Sequence, residues 1–370
     1  MPNKSRPSVK TVTDFKKRLQ HYQKLLDERV GTYCSGVGGI VHEQFGEYSA
    51  EVTDAYLQIL GRGGKRIRGA LTMVGYEMMG GENQKMILDA ALVIEMVHAY
   101  VLIVDDFQDR SKSRRGGPTV PVMLEKYQQE HHLSGDRIHT ANALAWNAAL
   151  FGSHAAQRLM ANIDASESAR IKALSILNNS LIVTVHGQTN DILNEIRLDT
   201  TESDVINVMK WKTSYYTFLN PLHTGMVLAE ADCADTDAIT DYAILSGLVF
   251  QITDDILGVF GKEFESGKSP LDDIREGKRT LLSTYALEHA ASSDKNFLIQ
   301  MLGNEQLNEL EFERCCEIFQ SSAALAYATS RAEYYAEQAI ASLDKEAHRW
   351  KEESVDFLRL LTTHLIGRKK

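Results

Sequence analysis

Apolar side chains recur every three or four residues through 139–161, 169–195, 236–260 and 321–343. That spacing puts the apolar set on one side of an α-helix. No proline falls between Pro121 and Pro221 and none follows Pro270, whereas a strand-rich chain carries turn signals every ~8–12 residues. The long segments are filled with Leu, Ala, Glu, Lys and Met, all good helix formers. Breaks at 80–84 (GGENQ), 111–121 (SKSRRGGPTVP), 230–237 (EADCADTD) and 261–273 (GKEFESGKSPLDD) read as loops. No fixed-period repeat, low-complexity tract or interdomain linker interrupts the pattern. It predicts one large all-α domain over residues 1–370, with 1–12 as a flexible tail.

The most apolar run, 86–104 (MILDAALVIEMVHAYVLIV), is about membrane-spanning length. Asp89, Glu95 and His98 interrupt it and three carboxylates follow at once. It therefore reads as a helix buried in a large helical protein, with no transmembrane segment expected. Apolar residues make up 44% of the chain, enough for a sizeable core. The net charge of −10 argues against general nucleic-acid binding, which needs a basic surface. Cys34, Cys233, Cys315 and Cys316 fall in no CxxC or zinc spacing. They fit a reducing compartment, and the expected location is cytoplasmic. The first twenty residues are basic without an apolar core, which excludes a secretory signal; a transit peptide is the alternative to a plain tail.

Candidate chemistry begins with three carboxylates, Asp105, Asp106 and Asp109, crowded into five residues. On one helix over 86–109, about 100° per residue puts His98, Leu102, Asp105 and Asp109 on one face, with Asp106 beside them. Carboxylates this close repel unless cations bridge them. Oxygen-only ligation suits a hard ion, Mg²⁺ first, and Mg²⁺ takes one or two carboxylates plus phosphate oxygens. Alone, a DDxxD motif describes a solvated helix end equally well. A second apolar helical run, 250–261 (FQITDDILGVFG), also ends in paired acids, Asp254 and Asp255, with Gln251 on their face. The two sets together predict two or three Mg²⁺ ions holding a diphosphate.

Cations are gathered separately. GRGGKRIRG (61–69) carries Lys65, Arg66 and Arg68. It fails as a P-loop, because Arg66 follows the lysine where Ser or Thr is needed. A Gly-rich approach into cations at a helix start still suits an anion. Arg114 and Arg115 are adjacent on a loop, where guanidinium forks match phosphate oxygens. Lys212 with Thr213, and Lys268, add further positions. Each alone is more often a solvated surface charge; the conjunction with two acid pairs points to a diphosphate ligand.

The motifs run in a specific order: GGKRIR (63–68), E..H (95 and 98), DDFQD....RRG (105–116), GQTND (187–191), KTSYY (212–216), FQITDDILGVFG (250–261) and DDIREGKRTLL (272–282). In that order they resemble the trans-isoprenyl diphosphate synthases, the farnesyl and geranylgeranyl diphosphate synthase family. The resemblance implies a helical bundle around a central cavity, a homodimer, and head-to-tail prenyl transfer. It implies that Asp105, Asp106, Asp109, Asp254 and Asp255 hold Mg²⁺ on an allylic diphosphate, which Arg114, Lys212 and Lys268 neutralise. Lys65, Arg68, His98 and Arg115 would grip isopentenyl diphosphate. Thr213, Tyr216, Gln188 and Gln251 would set dipoles around an allylic cation, and Asp191 would support Lys212. Departure of a diphosphate needs such electrostatic help, and the cation needs a dry site.

One position departs from much of the family. Gly258 stands where the last acid of a second DDxxD falls, as in a bacterial subgroup, and Asp273 is the candidate substitute. In the family, bulky residues four and five before the first Asp shorten the cavity; here they are Val101 and Tyr100. The resemblance therefore implies a C20 product, with C15 as the alternative. Two rivals are weighed against this reading. A class I terpene cyclase would leave Lys65, Arg68 and Arg115 without purpose, and NDILNEIRL (190–198) lacks two ligand positions of the cyclase motif. A regulatory subunit of a heteromeric synthase would normally lose acids from the first motif, and this chain keeps all three.

Overall fold

The computed structural model describes residues 11–197, 199–261 and 270–367. In chain order the elements are α1 (Val12–Phe45), α2 (Glu47–Gly61), α3 (Ile67–Met78), α4 (Gln84–Gln108), strands β1 (Ser113–Arg114) and β2 (Gly117–Pro118), α5 (Val120–Glu130), α6 (Arg137–Ala161) and α7 (Glu167–Ile196). There follow α8 (Glu202–Val208), a π-helix (Met209–Leu219), α9 (Asn220–Leu228), α10 (Cys233–Phe260), α11 (Asp272–Glu276) and α12 (Leu281–His289). The chain ends with α13 (Ser292–Met301), α14 (Glu309–Ser321), α15 (Ala324–Glu346), a 3₁₀ turn (Ala347–Arg349) and α16 (Glu352–Gly367). Of the expected 1–12 tail, residues 1–10 lie outside the described residues, and α1 begins at Val12.

The contacts gather into two compact units. The first comprises Lys16–Leu174 and Thr224–Glu230; the second comprises Met1–Phe15, Ser175–His223 and Ala231–Lys370.

In the first unit α4 lies at the core. Every residue from Ala90 to Val97 is buried, and α3 and α6 lie against it. A helix apolar all round needs such surroundings. Its start is fixed by Asn83, whose side chain accepts from the Met86 amide at 3.1 Å, two residues earlier than the apolar run suggested. Tyr56 of α2 is fully buried and its hydroxyl donates to the Met96 carbonyl at 3.1 Å. A side chain at Gly152 of α6 would run into the Tyr56 ring at 2.2 Å. Buried Glu77 of α3 accepts from both Arg18 and Tyr22 of α1, each at 2.6 Å.

In the second unit α10 lies against the π-helix, α15 and α16. Tyr242 of α10 donates to the Leu358 carbonyl at 2.8 Å. Both α4 and α10 are long and apolar enough to cross a membrane, yet 61% and 56% of their most apolar windows are buried within the protein.

Three local expectations change. Residues 111–121 are not all loop: β1 and β2 form a hairpin pairing Arg114 with Gly117, and Arg115 and Gly116 at its turn both have positive φ (52° and 71°). Two successive positive φ values describe a type I′ turn, whose twist suits paired strands. The 230–237 loop ends early, because the Asp232 side chain accepts from the Asp235 amide and starts α10 at Cys233. The segment around KTSYY is π-helical, with the Asn220 amide bonded to the Tyr215 carbonyl five residues back.

Gly225 shows how closely the first unit is built. A Cβ there would sit 2.1 Å from the Thr72 carbonyl oxygen and 2.7 Å from the Tyr76 amide nitrogen. Alanine would gain up to ~1 kcal/mol of helix propensity. Overpacking against backbone that cannot yield costs about 1–3 kcal/mol, so the loss wins. Gly225→Ala is expected to lower the urea midpoint followed by circular dichroism; an unchanged or raised midpoint would contradict the close approach.

Candidate active site

In the first unit, the loop before α3 and the C-terminal half of α4 carry most of the predicted groups. Arg66 is the N-cap of α3 and adopts a left-handed conformation (φ 48°, ψ 31°), which costs a non-glycine residue about 1–2 kcal/mol. Arg66 is buried, while its neighbour Lys65 is exposed and Arg68 half-buried. The Arg66 guanidinium donates to Asp27 at 2.9 Å, to Glu95 at 3.0 Å and to the Leu60 carbonyl at 3.0 Å. The other Glu95 oxygen accepts from the Gly69 amide at 3.0 Å.

One turn along α4 from Glu95, His98 Nε2 lies 3.3 Å from Arg68 Nη1. Arg115 lies over Gly64, where a Cβ would come within 3.2 Å of its guanidinium carbon. The structure thus brings Arg68, His98 and Arg115 together, beside Lys65 in sequence. Burial holds His98 well below the ordinary imidazole range, and Arg68, Arg115, Arg114 and Arg66 push it the same way. Burial also pulls Arg115 down to about 10; Glu95 opposes this, and Arg66, Arg68 and Arg114 add to it. The crowded guanidiniums of Arg68 and Arg115 favour an incoming anion.

The acids of α4 divide. Asp106 is 0% exposed and takes the Arg114 guanidinium at 2.7 Å, while Arg114 also reaches Asp105 at 3.2 Å. Burial disfavours the Arg114 charge, but Asp106 and Asp105 outweigh it and raise its proton affinity. Asp105 and Asp109 are half-buried, with Asp109 as the C-cap of α4. The three acids, expected side by side at the helix end, therefore differ in exposure. Asp106 turns inward to an arginine. Arg62 shapes the hairpin that presents Arg114, donating to the Arg114 and Pro118 carbonyls at 3.1 and 2.6 Å. Glycine at 117 leaves room for it, since a Cβ there would lie 2.9 Å from the Arg62 guanidinium carbon. Tyr100 and Val101 are half-buried on α4.

The second unit assembles its own set. Lys212 in the π-helix donates to Asp191 of α7 at 2.7 Å. Thr213 donates to Gln251 Oε1 at 2.6 Å, and Gln251 Nε2 donates to Asp255 at 2.7 Å. Two glycines allow this register. A Cβ at Gly187 would lie 2.4 Å from the Lys212 amide nitrogen, and one at Gly247 would lie 2.5 Å from Ser214 Cα. The π-helix, a form common at functional sites, is thus held close on two sides. Gln188 Nε2 is buried without a hydrogen-bond partner among the described residues, and Tyr216 is buried.

Asp254 is exposed beside half-buried Asp255. Burial pushes the Asp255 carboxyl well up; Asp273 and Asp254 add to this, against the Gln251 hydrogen bond and Lys278. A Cβ at Gly258 would lie 2.6 Å from Asp273 Oδ2, so the Asp273 carboxylate fills the space that the glycine leaves. Lys278 bridges Asp273 at 3.8 Å and Glu276 at 2.8 Å. Lys268 lies outside the described residues. Among the described residues no group of three His, Cys, Asp or Glu stands ready to hold a metal. The acids offer hard oxygen donors that would need further oxygens to complete a shell, as Mg²⁺ does with phosphate.

Sequence reading counted Arg66 only among the cations of 61–69 and assigned no individual role to Glu95, Gly187, Gly247 or Lys278. The signals for the first two were the GGKRIR motif and the E..H spacing; the glycines gave none without the neighbouring helices.

The polyprenyl synthetase family profile matches residues 49–319, a span that runs through both units. Geranylgeranyl diphosphate synthase of Saccharolobus solfataricus is 32% identical over 317 residues, covering 86% of this chain and 90% of that protein. Geranylfarnesyl diphosphate synthase of Aeropyrum pernix is 32% identical over 321 residues, covering 86% and 95%. A geranylgeranyl pyrophosphate synthase of Corynebacterium glutamicum, solved with isoprenyl diphosphate and magnesium, superposes with a TM-score of 0.89 at 26% identity, covering 95% of this chain and 99% of that one. The chain belongs to the polyprenyl synthetase family and has the all-α isoprenoid synthase fold.

The depressed proton affinity of His98 has a consequence for stability. In the unfolded chain the imidazole titrates near 6.5, while in the folded chain it stays neutral below that value. The unfolded state then binds more protons below pH 6.5, so stability is full above 6.5 and lost as pH falls below it. His98→Asn should flatten the fall in melting temperature between about pH 6.5 and 5. Parallel wild-type and variant curves would show that His98 is not held neutral.

Proposed function

We propose that this chain condenses isopentenyl diphosphate head-to-tail with an allylic diphosphate, releasing pyrophosphate and forming a short-chain trans-prenyl diphosphate, geranylgeranyl diphosphate first. The observation that carries this reading is the cluster of Arg68, His98 and Arg115 beside the acid pair bridged by Arg114, within motifs that match the family. The geranylgeranyl and geranylfarnesyl synthase relatives support the product class. The family profile running through both units supports reading residues 1–370 as one synthetase domain.

Lys65, Arg68, His98 and Arg115 bind isopentenyl diphosphate, the cations meeting its charge. Arg114 and Lys212, the latter held by Asp191, neutralise the allylic diphosphate, with Lys268 as a further cation. Asp105, Asp106, Asp109, Asp254 and Asp255 are the carboxylates assigned to two or three Mg²⁺ ions, with Asp106 also holding Arg114 and Asp273 acting on Asp255. Bound Mg²⁺ supplies Lewis-acid stabilisation of the charge that develops on the departing diphosphate. The allylic carbon–oxygen bond breaks, and the isopentenyl double bond attacks the resulting cation. Thr213, Gln251, Gln188 and Tyr216 direct dipoles toward that charge, and the final proton goes to pyrophosphate.

Tyr100 and Val101, one turn before Asp105 on α4, set the depth available to the growing chain. Incubating the purified chain alone with labelled isopentenyl diphosphate, Mg²⁺ and each allylic starter should give mainly the C20 product. A dominant product beyond C25 overturns the length, and hydrocarbon released from farnesyl diphosphate alone would favour a cyclase. Tyr100→Ala should lengthen the product; an unchanged distribution removes Tyr100 from the argument.

The family reading also includes a homodimer. On α7, Ile182, Val185, Thr189, Ile192 and Ile196 recur at intervals of three and four, the spacing of a coiled-coil seam. Ile182, Val185 and Ile196 are 58%, 64% and 77% exposed. An exposed stripe of this kind, apolar but for Thr189, is unusual on a free surface, and a twofold axis lets it meet its own copy. Sedimentation should give a dimer at micromolar concentration, and Ile182→Asp with Val185→Asp should give a folded monomer. A monomeric wild type would rule the seam out. The free cysteines support a cytoplasmic location.

A further inference from the structure

We infer that Arg66 and Glu95 are positioning residues for isopentenyl diphosphate: together they set the register of α3 on α4 and so aim Lys65, Arg68 and His98. The inference rests on the reading of those three residues as the isopentenyl diphosphate site. Two layers of polar contacts join the helices. The inner layer is Arg66–Glu95–Gly69, and the outer one is Arg68–His98 at 3.3 Å.

The inner layer is overdetermined. Arg66 is 4% exposed and Glu95 2%, so each charge depends on the other. Arg66 makes no side-chain cap for α3. The Glu95 carboxylate takes that place from the neighbouring helix by accepting the Gly69 amide, where a carboxylate is favoured by the helix dipole. Gly69 permits the approach, since a Cβ there would come within 3.3 Å of Glu95 Cγ and 2.7 Å of Leu26 Cδ1. The third guanidinium arm reaches the Leu60 carbonyl at the end of α2, and Nε reaches Asp27 of α1.

The left-handed backbone at Arg66 explains the geometry. It turns the Arg66 side chain inward while Lys65 stays exposed and Arg68 half-exposed. A non-glycine residue keeps such a conformation only where its surroundings fix it, and here the fixing groups are Glu95, Asp27 and Leu60. Glu95 and His98 lie on one face of α4. A shift of the inner layer therefore carries the outer layer with it. A small misplacement of substrate-positioning groups can cost about 100-fold in rate.

The test uses the full chain and reads the KM values of the two substrates separately. Arg66→Gln with Glu95→Gln removes both buried charges together, at constant size for the glutamate, a change that folded proteins tolerate better than loss of one partner. It should raise KM for isopentenyl diphosphate about tenfold or more and leave KM for the allylic diphosphate within about twofold. Asp27→Asn leaves the buried pair intact and should give a smaller rise in the same KM; it serves in place of the double variant if that fails to fold. Arg66→Lys keeps the charge without the fork and should still raise it. Arg68→Ala marks the site itself. If Arg68→Ala raises KM for isopentenyl diphosphate and the inner-layer variants do not, or move both KM values together, the positioning role is overturned. If Arg68→Ala also leaves that KM unchanged, the assignment of the site fails, and the positioning role falls with it.

Discussion

Repulsion between like charges at short range is the constraint on which the functional parts of this protein depend. Each unit sets several groups of one sign against an apolar helix, where water screens them poorly. The arrangement persists because each crowded charge has a partner or a depressed tendency to ionise. Asp106 has Arg114, Arg66 has Glu95, Lys212 has Asp191. His98 stays neutral and Asp255 holds its proton more tightly. What these measures leave over is a preference for ligands of opposite sign: an anion at the arginines, a hard cation at the acids. On the proposed function, a diphosphate carrying a divalent metal meets both demands.

Buried ion pairs seldom add much to stability, because desolvation offsets most of the attraction. Their value here is geometric. Arg66 with three acceptors has only one comfortable orientation, and the same holds for Arg114 between two carboxylates. Glycines extend that control to the backbone. At Gly187 and Gly247 the neighbouring helix comes so close to the π-helix that no side chain fits. Lys212 and Thr213 are thus aimed by main-chain contacts as much as by their own hydrogen bonds.

Much of this was legible in the sequence, for physical reasons. Helical periodicity is local, so α4, α6, α7 and α10 could be drawn to within a few residues. Acid and base clusters are also local, so the groups that carry chemistry could be named. Partnership is not local. That Asp106 turns inward to Arg114 depends on a hairpin eight residues away, whose type I′ turn was hidden inside an apparent loop. The left-handed Arg66 had no signal, since that conformation is usually glycine's. The π-helix was missed because its extra residue per turn is invisible to a 3.6-residue pattern.

Gly258 illustrates how sequence pattern and structure can disagree about the same charge. Counted along α10, the second acid motif is one carboxylate short. Counted in space, it is not: the Asp273 oxygen lies where a side chain at 258 would begin, and its charge helps raise the proton affinity of Asp255. An aspartate at 258 would require the Asp273 carboxylate to shift and add a further negative charge beside Asp255, which already resists ionisation. Glycine at 258 thus leaves the space that the Asp273 carboxylate occupies. The Asp273 carboxylate comes from the element after the helix, where Lys278 lies 3.8 Å away. A motif that counts residues along one helix misses a carboxylate that the fold brings in from the next element.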